Sequence, residues 1–351
     1  MIFHNAHIFV DGSFRHGAFR VENGRFAEMI DSTHTVAGGI DLSNQYVIPG
    51  LVDIHTHGNS GADFSDGDYD GLIRMARYLA QNGVTSFAPT SMTLPYFSEK
   101  KKGAQNGSYL KLPDIEAFQK LYESSKGLIR IVDVAAELSG AETFTKHAAT
   151  LCKVAIAHTD CTYDEAETVF DAGASHLTHL FNAMPGIHHR KPGPIGAGSE
   201  RKGVTAELIC DGLHVHPSAI RMAFKLFPGR VCLISDALRC CGMPDGKYTL
   251  GGQEVFLKNG VARLADGTIA GSATNLYDCM KKAVEFGIPR EQAVMSATII
   301  PAAVVGCADK VGSIAAGKNA DFVVCDEQLN PKSVYLNGVL LKKTSELSFD
   351  S

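Results

Sequence analysis

Along the middle of the chain, short apolar runs alternate with longer stretches whose apolar positions recur at helical spacing. The apolar runs fall at residues 47–54, 84–88, 129–135, 154–157, 176–181, 204–210 and 231–234. Each is a strand in length. Between them, residues 69–81, 114–124, 163–172 and 217–227 carry the amphipathic pattern of helices. Strand and helix in alternation predict a parallel sheet, and at this number of units a (β/α)8-type TIM barrel. Seven strands are visible where closure needs eight, so one β/α unit is expected to be missing.

The two ends follow a different rule. Near the start, apolar runs of about five residues are separated by Asp11-Gly12 and Asn23-Gly24, the dipeptides of tight hairpin turns. Near the end, Asp321-Phe322-Val323-Val324-Cys325 reads as a strand, and another is expected around Asn337-Gly338. These ends predict a small β-sandwich domain assembled from residues 1–48 and 308–351, around a barrel domain of residues 49–307. A glycine-rich alternating stretch at 238–271 predicts hairpins inserted after the last barrel strand.

Composition narrows the function classes. Of 351 residues, 45% are apolar, enough to fill a large core. The formal charge is −5 and the only dense basic run is Lys100-Lys101-Lys102, so no field is laid out for nucleic acid. Nine cysteines, odd in number and without a C-x-x-C pair, fit reduced thiols rather than a disulfide framework. With no signal-like amino terminus and no apolar run of membrane-spanning length, the expected setting is cytoplasmic.

In a parallel barrel, residues just beyond the strand ends converge on one mouth. Here they are His and Asp. The run Asp53-Ile54-His55-Thr56-His57 places two histidines at i and i+2, on one face of a strand. His158 follows residues 154–157, His179 closes His176-Leu177-Thr178-His179, and Asp236 follows residues 231–235. Imidazole and carboxylate from separate strands suit zinc or iron. His176 is open between a pocket residue and a core residue. His214 follows another strand and is placed to donate to a substrate carbonyl, while His216 next to it suits the start of a helix. The loop from Phe181 to Gly186 and on through His188-His189-Arg190-Lys191 combines backbone amides with cations, which suits a phosphate or an ordinary solvated loop.

Together these segments resemble N-acetylglucosamine-6-phosphate deacetylases of the amidohydrolase superfamily over nearly the whole chain. The likeness is carried by Pro49-Gly50-Leu51-Val52-Asp53-Ile54-His55-Thr56-His57-Gly58, Lys102-Gly103-Ala104-Gln105-Asn106, Ala157-His158-Thr159-Asp160 and Thr178-His179-Leu180-Phe181-Asn182-Ala183-Met184. Asp211-Gly212-Leu213-His214, Ser235-Asp236-Ala237 and Ala270-Gly271-Ser272 complete it. The resemblance implies one or two divalent ions, with His158 and His179 as ligands and His55 and His57 available for a second ion. It implies Asp236 as acid/base beside the metal and His214 polarising the acetamide carbonyl. Gln105, the Asn182 and Ala183 backbone, and Arg190 from a neighbouring subunit would hold the sugar phosphate, which makes a homodimer the expected assembly.

The chain also departs from that pattern. Where the family carries Glu-Gly-Pro at the end of strand three, with a metal carboxylate, this sequence reads Met92-Thr93-Leu94-Pro95-Tyr96. About thirty residues, one helix and one strand, are absent by comparison. Glu99 and Glu137 are the replacement carboxylates the sequence offers. Two rival readings stay open: another cyclic-amide hydrolase, disfavoured because residues 131–137 carry no lysine to bridge two metals, and a sugar-phosphate binding protein that has lost turnover.

Overall fold

A computed structural model describes residues 1–31 and 38–343. The chain opens with β1 (Ile2–Val10), β2 (Ser13–Glu22), β3 (Arg25–Asp31) and β4 (Ile40–Pro49). Barrel strand β5 (Leu51–Thr56) follows, then a short hairpin of β6 (Gly58–Asn59) and β7 (Ala62–Asp63), helix α1 (Tyr69–Gln81) and β8 (Val84–Pro89). After α2 (Ile115–Ser124), strand and helix alternate as β9 (Ile131–Val134), α3 (Ala141–Ala148), β10 (Lys153–Ile156) and α4 (Tyr163–Asp171). The alternation continues through β11 (His176–Leu177), α5 (Gly193–Glu200), β12 (Thr205–Ile209), α6 (Pro217–Leu226) and β13 (Val231–Ile234). The inserted hairpins are β14 (Gly246–Leu250), β15 (Gln253–Lys258) and β16 (Val261–Leu264), an antiparallel trio. Helices α7 (Leu276–Glu285), α8 (Arg290–Ala297) and α9 (Ile299–Val304) lead to β17 (Phe322–Cys325), β18 (Pro331–Leu336) and β19 (Val339–Lys343).

The terminal strands form one seven-stranded sheet in the order β19-β18-β17-β4-β1-β2-β3, as the two-ended pattern predicted. Its core is aromatic: Phe322 stacks on Tyr335 with ring centroids 4.5 Å apart, and Phe3 stacks on Phe19 at 5.0 Å. Aromatic pairs of this kind bring the two ends of the chain together through buried area and ring geometry.

Residues 47–54, read from hydropathy as a single strand, belong to two sheets. The chain breaks at Gly50, between β4 of the terminal sheet and β5 of the barrel. A Cβ at Gly50 would sit 2.1 Å from Oγ1 of Thr85, so only glycine allows the close passage of the chain past β8.

Five parallel strands run β13-β12-β11-β10-β9, and β5 pairs in parallel with β8. The two groups join where the segment after β13 reaches β5, through a bridge between Thr56 and Ala237 and the amide of Asp236 donating to the carbonyl of His55 at 2.9 Å. On the other side, among the described residues, no strand lies between β8 and β9. A single bridge, Tyr96 to Val134, spans that seam, and the amide of Ala135 donates to the carbonyl of Tyr96 at 2.8 Å. Tyr96 is fully buried and packs its ring on Phe144. Thus a residue outside the named strands carries the backbone pairing between the two groups on this side. Among the described residues no helix is long and apolar enough to cross a membrane.

Candidate metal centre

Three of the expected ligands occupy the same place in their units. His158, His179 and Asp236 each stand two residues beyond the last residue of β10, β11 and β13, and each adopts a left-handed backbone, with φ of 43°, 30° and 48°. For residues with a side chain this conformation costs about 1–3 kcal/mol apiece and persists only where the surroundings enforce it. They do so here. The amide of Ser98 donates to the carbonyl of His158 at 2.9 Å, that of Asn182 to the carbonyl of His179 at 2.9 Å, and that of Ser272 to the carbonyl of Asp236 at 2.7 Å. The left-handed turn also explains why β11 is only two residues long, where hydropathy predicted a strand over 176–181.

His55, His57 and Asp236 form a buried group whose nitrogen and oxygen atoms lie within 4.8 Å of one another. Nε2 of His55 and Nε2 of His57 are each 3.5 Å from Oδ1 of Asp236. Beside them is a second pair, His158 and His179, with Nε2 atoms 3.0 Å apart. The rings of His55 and His179 are 5.7 Å apart, so the two groups are neighbours. Nδ1 of His158 donates to the carbonyl of Lys101 at 2.8 Å, and its ring stacks on Phe97. That bond leaves the Nε2 lone pair of His158 facing His179. Nδ1 of both His57 and His179 is buried without a partner. Imidazole lone pairs converging beside a carboxylate, in a site with unpaired nitrogen atoms, fit a divalent cation.

Electrostatics set the resting charges. Burial opposes a charge on His55, but the carboxylates of Glu207 and Asp236 override it and hold the imidazolium up to about 10. Burial and the neighbouring His179 push His158 down to about 3, and burial likewise lowers His179. The Asp236 carboxyl, though buried, is held well below the usual range by His57, His55 and His179. Neutral imidazoles at His158 and His179 and an ionised Asp236 are the forms that accept a cation.

The other predicted residues fall into place unequally. His214 donates from Nδ1 to Oδ2 of Asp211 at 2.7 Å, while Oδ1 of Asp211 accepts the amides of Leu213 and His214 at 2.8 and 2.9 Å. Burial works against the His214 charge, yet the Asp211 contact raises its pKa. Gln105 lines a pocket of about 220 Å3 with Met92, Tyr109 and Gln253. Asn182 donates its side-chain amide to the carbonyls of His179 and Leu180, both at 3.3 Å, so it closes the turn that presents Ala183, itself left-handed at φ 51°. Arg190 is exposed, with its guanidinium against His189 at 2.7 Å. Neither replacement carboxylate is drawn to the centre. Glu99 is exposed, and Glu137 accepts the amide of Asp160 at 2.7 Å and the hydroxyl of Thr159, which occupies it in holding the loop beyond His158.

Several acids inside strands escaped the sequence reading. Glu207 on β12 accepts from His55 and His176; Asp133 on β9 accepts from Thr178 at 2.9 Å; Asp53 on β5 accepts from the hydroxyl of Ser235 at 2.5 Å and is pushed by burial to about 6. Their common signal was a lone acid inside an apolar strand, where an unpaired charge would be too costly to keep.

A parallel barrel with histidines and an aspartate just beyond its strand ends makes a candidate metal site, and residues 46–341 match the amidohydrolase family profile. The chain belongs to the amidohydrolase family. It is 33% identical over 330 residues to the N-acetylgalactosamine-6-phosphate deacetylase of Escherichia coli O157:H7, covering 84% of this chain and 88% of that protein. Likewise it is 33% identical over 339 residues to the N-acetylglucosamine-6-phosphate deacetylase of Vibrio furnissii, covering 87% and 85%. Among solved structures, a mutant N-acetyl-D-glucosamine-6-phosphate deacetylase from Mycobacterium smegmatis, in complex with N-acetyl-D-glucosamine-6-phosphate, superposes with a TM-score of 0.93 at 30% identity, covering 97% of this chain and 98% of the other.

Proposed function

We propose that the chain hydrolyses the acetamide of N-acetylglucosamine 6-phosphate, releasing acetate and glucosamine 6-phosphate. The observation that carries this reading is the convergence of His55, His57, His158, His179 and Asp236 at one mouth of a barrel whose named relatives are amino-sugar-phosphate deacetylases. A divalent cation, zinc or iron, held by His158 and His179 with room for a second at His55 and His57, would lower the pKa of a water and polarise the amide carbonyl.

The chain's own groups do the rest. Asp236, ionised at neutral pH, takes the proton of the attacking water and returns it to the departing amine. His214, whose Nδ1 donates to Asp211 so that its pKa is raised against the pull of burial, donates from Nε2 to the oxyanion that develops on the acetyl carbonyl. Gln105, the Ala183 amide on the turn closed by Asn182, and Arg190 of a second copy bind the sugar phosphate, which makes the working form a homodimer in the cytoplasm. The test is acetate release from N-acetylglucosamine 6-phosphate by the purified protein. Release that Asp236→Asn reduces at least a hundredfold supports the reading. Binding of the sugar phosphate without release favours a binding protein instead, a reading the strand-free seam between β8 and β9 recommends as the alternative.

A further inference from the structure

Glu207 sits in the middle of β12 and is 1% exposed. Both carboxylate oxygens are engaged. Oε1 accepts from Nε2 of His176 at 3.1 Å; Oε2 accepts from Nδ1 of His55 at 2.9 Å and from the backbone amide of His179 at 3.2 Å. His176 is fixed in turn by Oγ1 of Thr205, 2.6 Å from its Nδ1. Isolated burial of a carboxylate costs several kcal/mol, so Glu207 stays charged only because of these partners. Two of the three belong to residues of the metal centre.

We propose that Glu207 is a positioning carboxylate of that centre: it aims His55 through Nδ1, fixes His179 through its amide, and supplies the second negative charge a buried divalent ion needs. The inference rests on the metal reading given above. Charge counting leads to it. The buried group of His55, His57 and Asp236 contains one carboxylate, so a divalent ion there would leave an uncompensated positive charge in a largely buried site. Glu207, one imidazole away, brings the sum to zero. Its hydrogen bond to Nδ1 also turns Nε2 of His55 toward the side on which Asp236 stands. A carboxylate behind a ligating histidine raises the basicity of the ring and fixes its tautomer.

Glu207→Gln keeps the shape and removes the charge. The expected result is a 10- to 100-fold weaker zinc affinity in chelator competition, with partial recovery in Glu207→Asp. Unchanged affinity in a folded Glu207→Gln protein overturns the role of Glu207, as does a Glu207→Asp protein no tighter than Glu207→Gln. Wild-type protein that binds no zinc, iron or cobalt overturns the metal reading itself, a distinct failure. Should the variants not fold, nitrogen-15 NMR of the histidines in zinc-loaded wild type decides the matter. His55 ligating through Nε2 with a proton on Nδ1 upholds the proposal, and ligation through Nδ1 overturns it.

Discussion

Asp211→Asn isolates the charge on His214 with almost no change in shape. Two backbone amides, of Leu213 and His214, point at Oδ1 of Asp211 and require an acceptor there. An asparagine must therefore keep its oxygen in that position and turn its NH2 toward Nδ1 of His214, where Asp211 now accepts at 2.7 Å. A protonated His214 would then oppose N–H to N–H, so the ring is forced neutral and its pKa falls where Asp211 had raised it. The neutral ring still presents an Nε2–H to the carbonyl, but without charge. Hydrogen bonds to charged groups contribute about 1.5–3 kcal/mol against about 1 kcal/mol for neutral ones, a difference of roughly 0.5–2 kcal/mol. At 1.36 kcal/mol per decade this is about a two- to thirtyfold loss in kcat. KM for N-acetylglucosamine 6-phosphate should move less than threefold, because the oxyanion exists only at the transition state. Acetate release measured across pH carries the decisive detail: the alkaline fall in kcat that reports loss of the His214 proton disappears in the variant. A variant with wild-type kcat and an unchanged alkaline limb refutes the role given to His214.

Gly271→Ala should damage the site from behind, since a Cβ there would lie 2.9 Å from the carbonyl oxygen of Asp236 at a φ of +41°; at least a tenfold loss of acetate release is expected, with a melting temperature lowered by several degrees. Metal-free protein should be most stable near pH 6.5 as far as its histidines decide. His158, pushed to about 3, resists protons that the unfolded chain takes up below about 6.5, so stability falls as pH drops from there toward 3. His55, held at about 10, contributes stability that is full below about 6.5 and is lost as pH rises toward 10. Urea titrations from pH 4 to 10 on chelator-treated protein check both limbs, and a curve whose midpoint is flat across that range contradicts the assignments.

Much of this centre was legible because barrel strands deliver residues to one mouth, so polar residues after apolar runs could be read as neighbours before any distance was known. His158, His179 and Asp236 follow that rule in the same register. Glu207, Asp133 and Asp53 were missed because they lie within strands, where hydropathy counts them as interruptions and only three-dimensional pairing reveals their partners. Residues 47–54 read as one unbroken strand even though the domain boundary was set inside them at 48/49, because apolar residues run through Gly50 on both sides and what divides them is the proximity of Thr85. Tyr96, which bridges the seam, was legible only as the end of the segment standing where the family carries Glu-Gly-Pro, since a single backbone bridge leaves no periodicity. Glu137 had the right chemistry for a ligand, but Thr159 and the amide of Asp160 engage it.

The claim on which everything depends is that strand-end imidazoles and Asp236 hold a divalent ion. Anomalous diffraction at the zinc edge, from crystals grown with stoichiometric zinc, tests it directly. The account predicts a peak about 2.0–2.2 Å from imidazole nitrogens of His158 and His179, or of His55 and His57 with the Asp236 carboxylate. Zinc bound only elsewhere, or no peak while these side chains are well ordered, contradicts it.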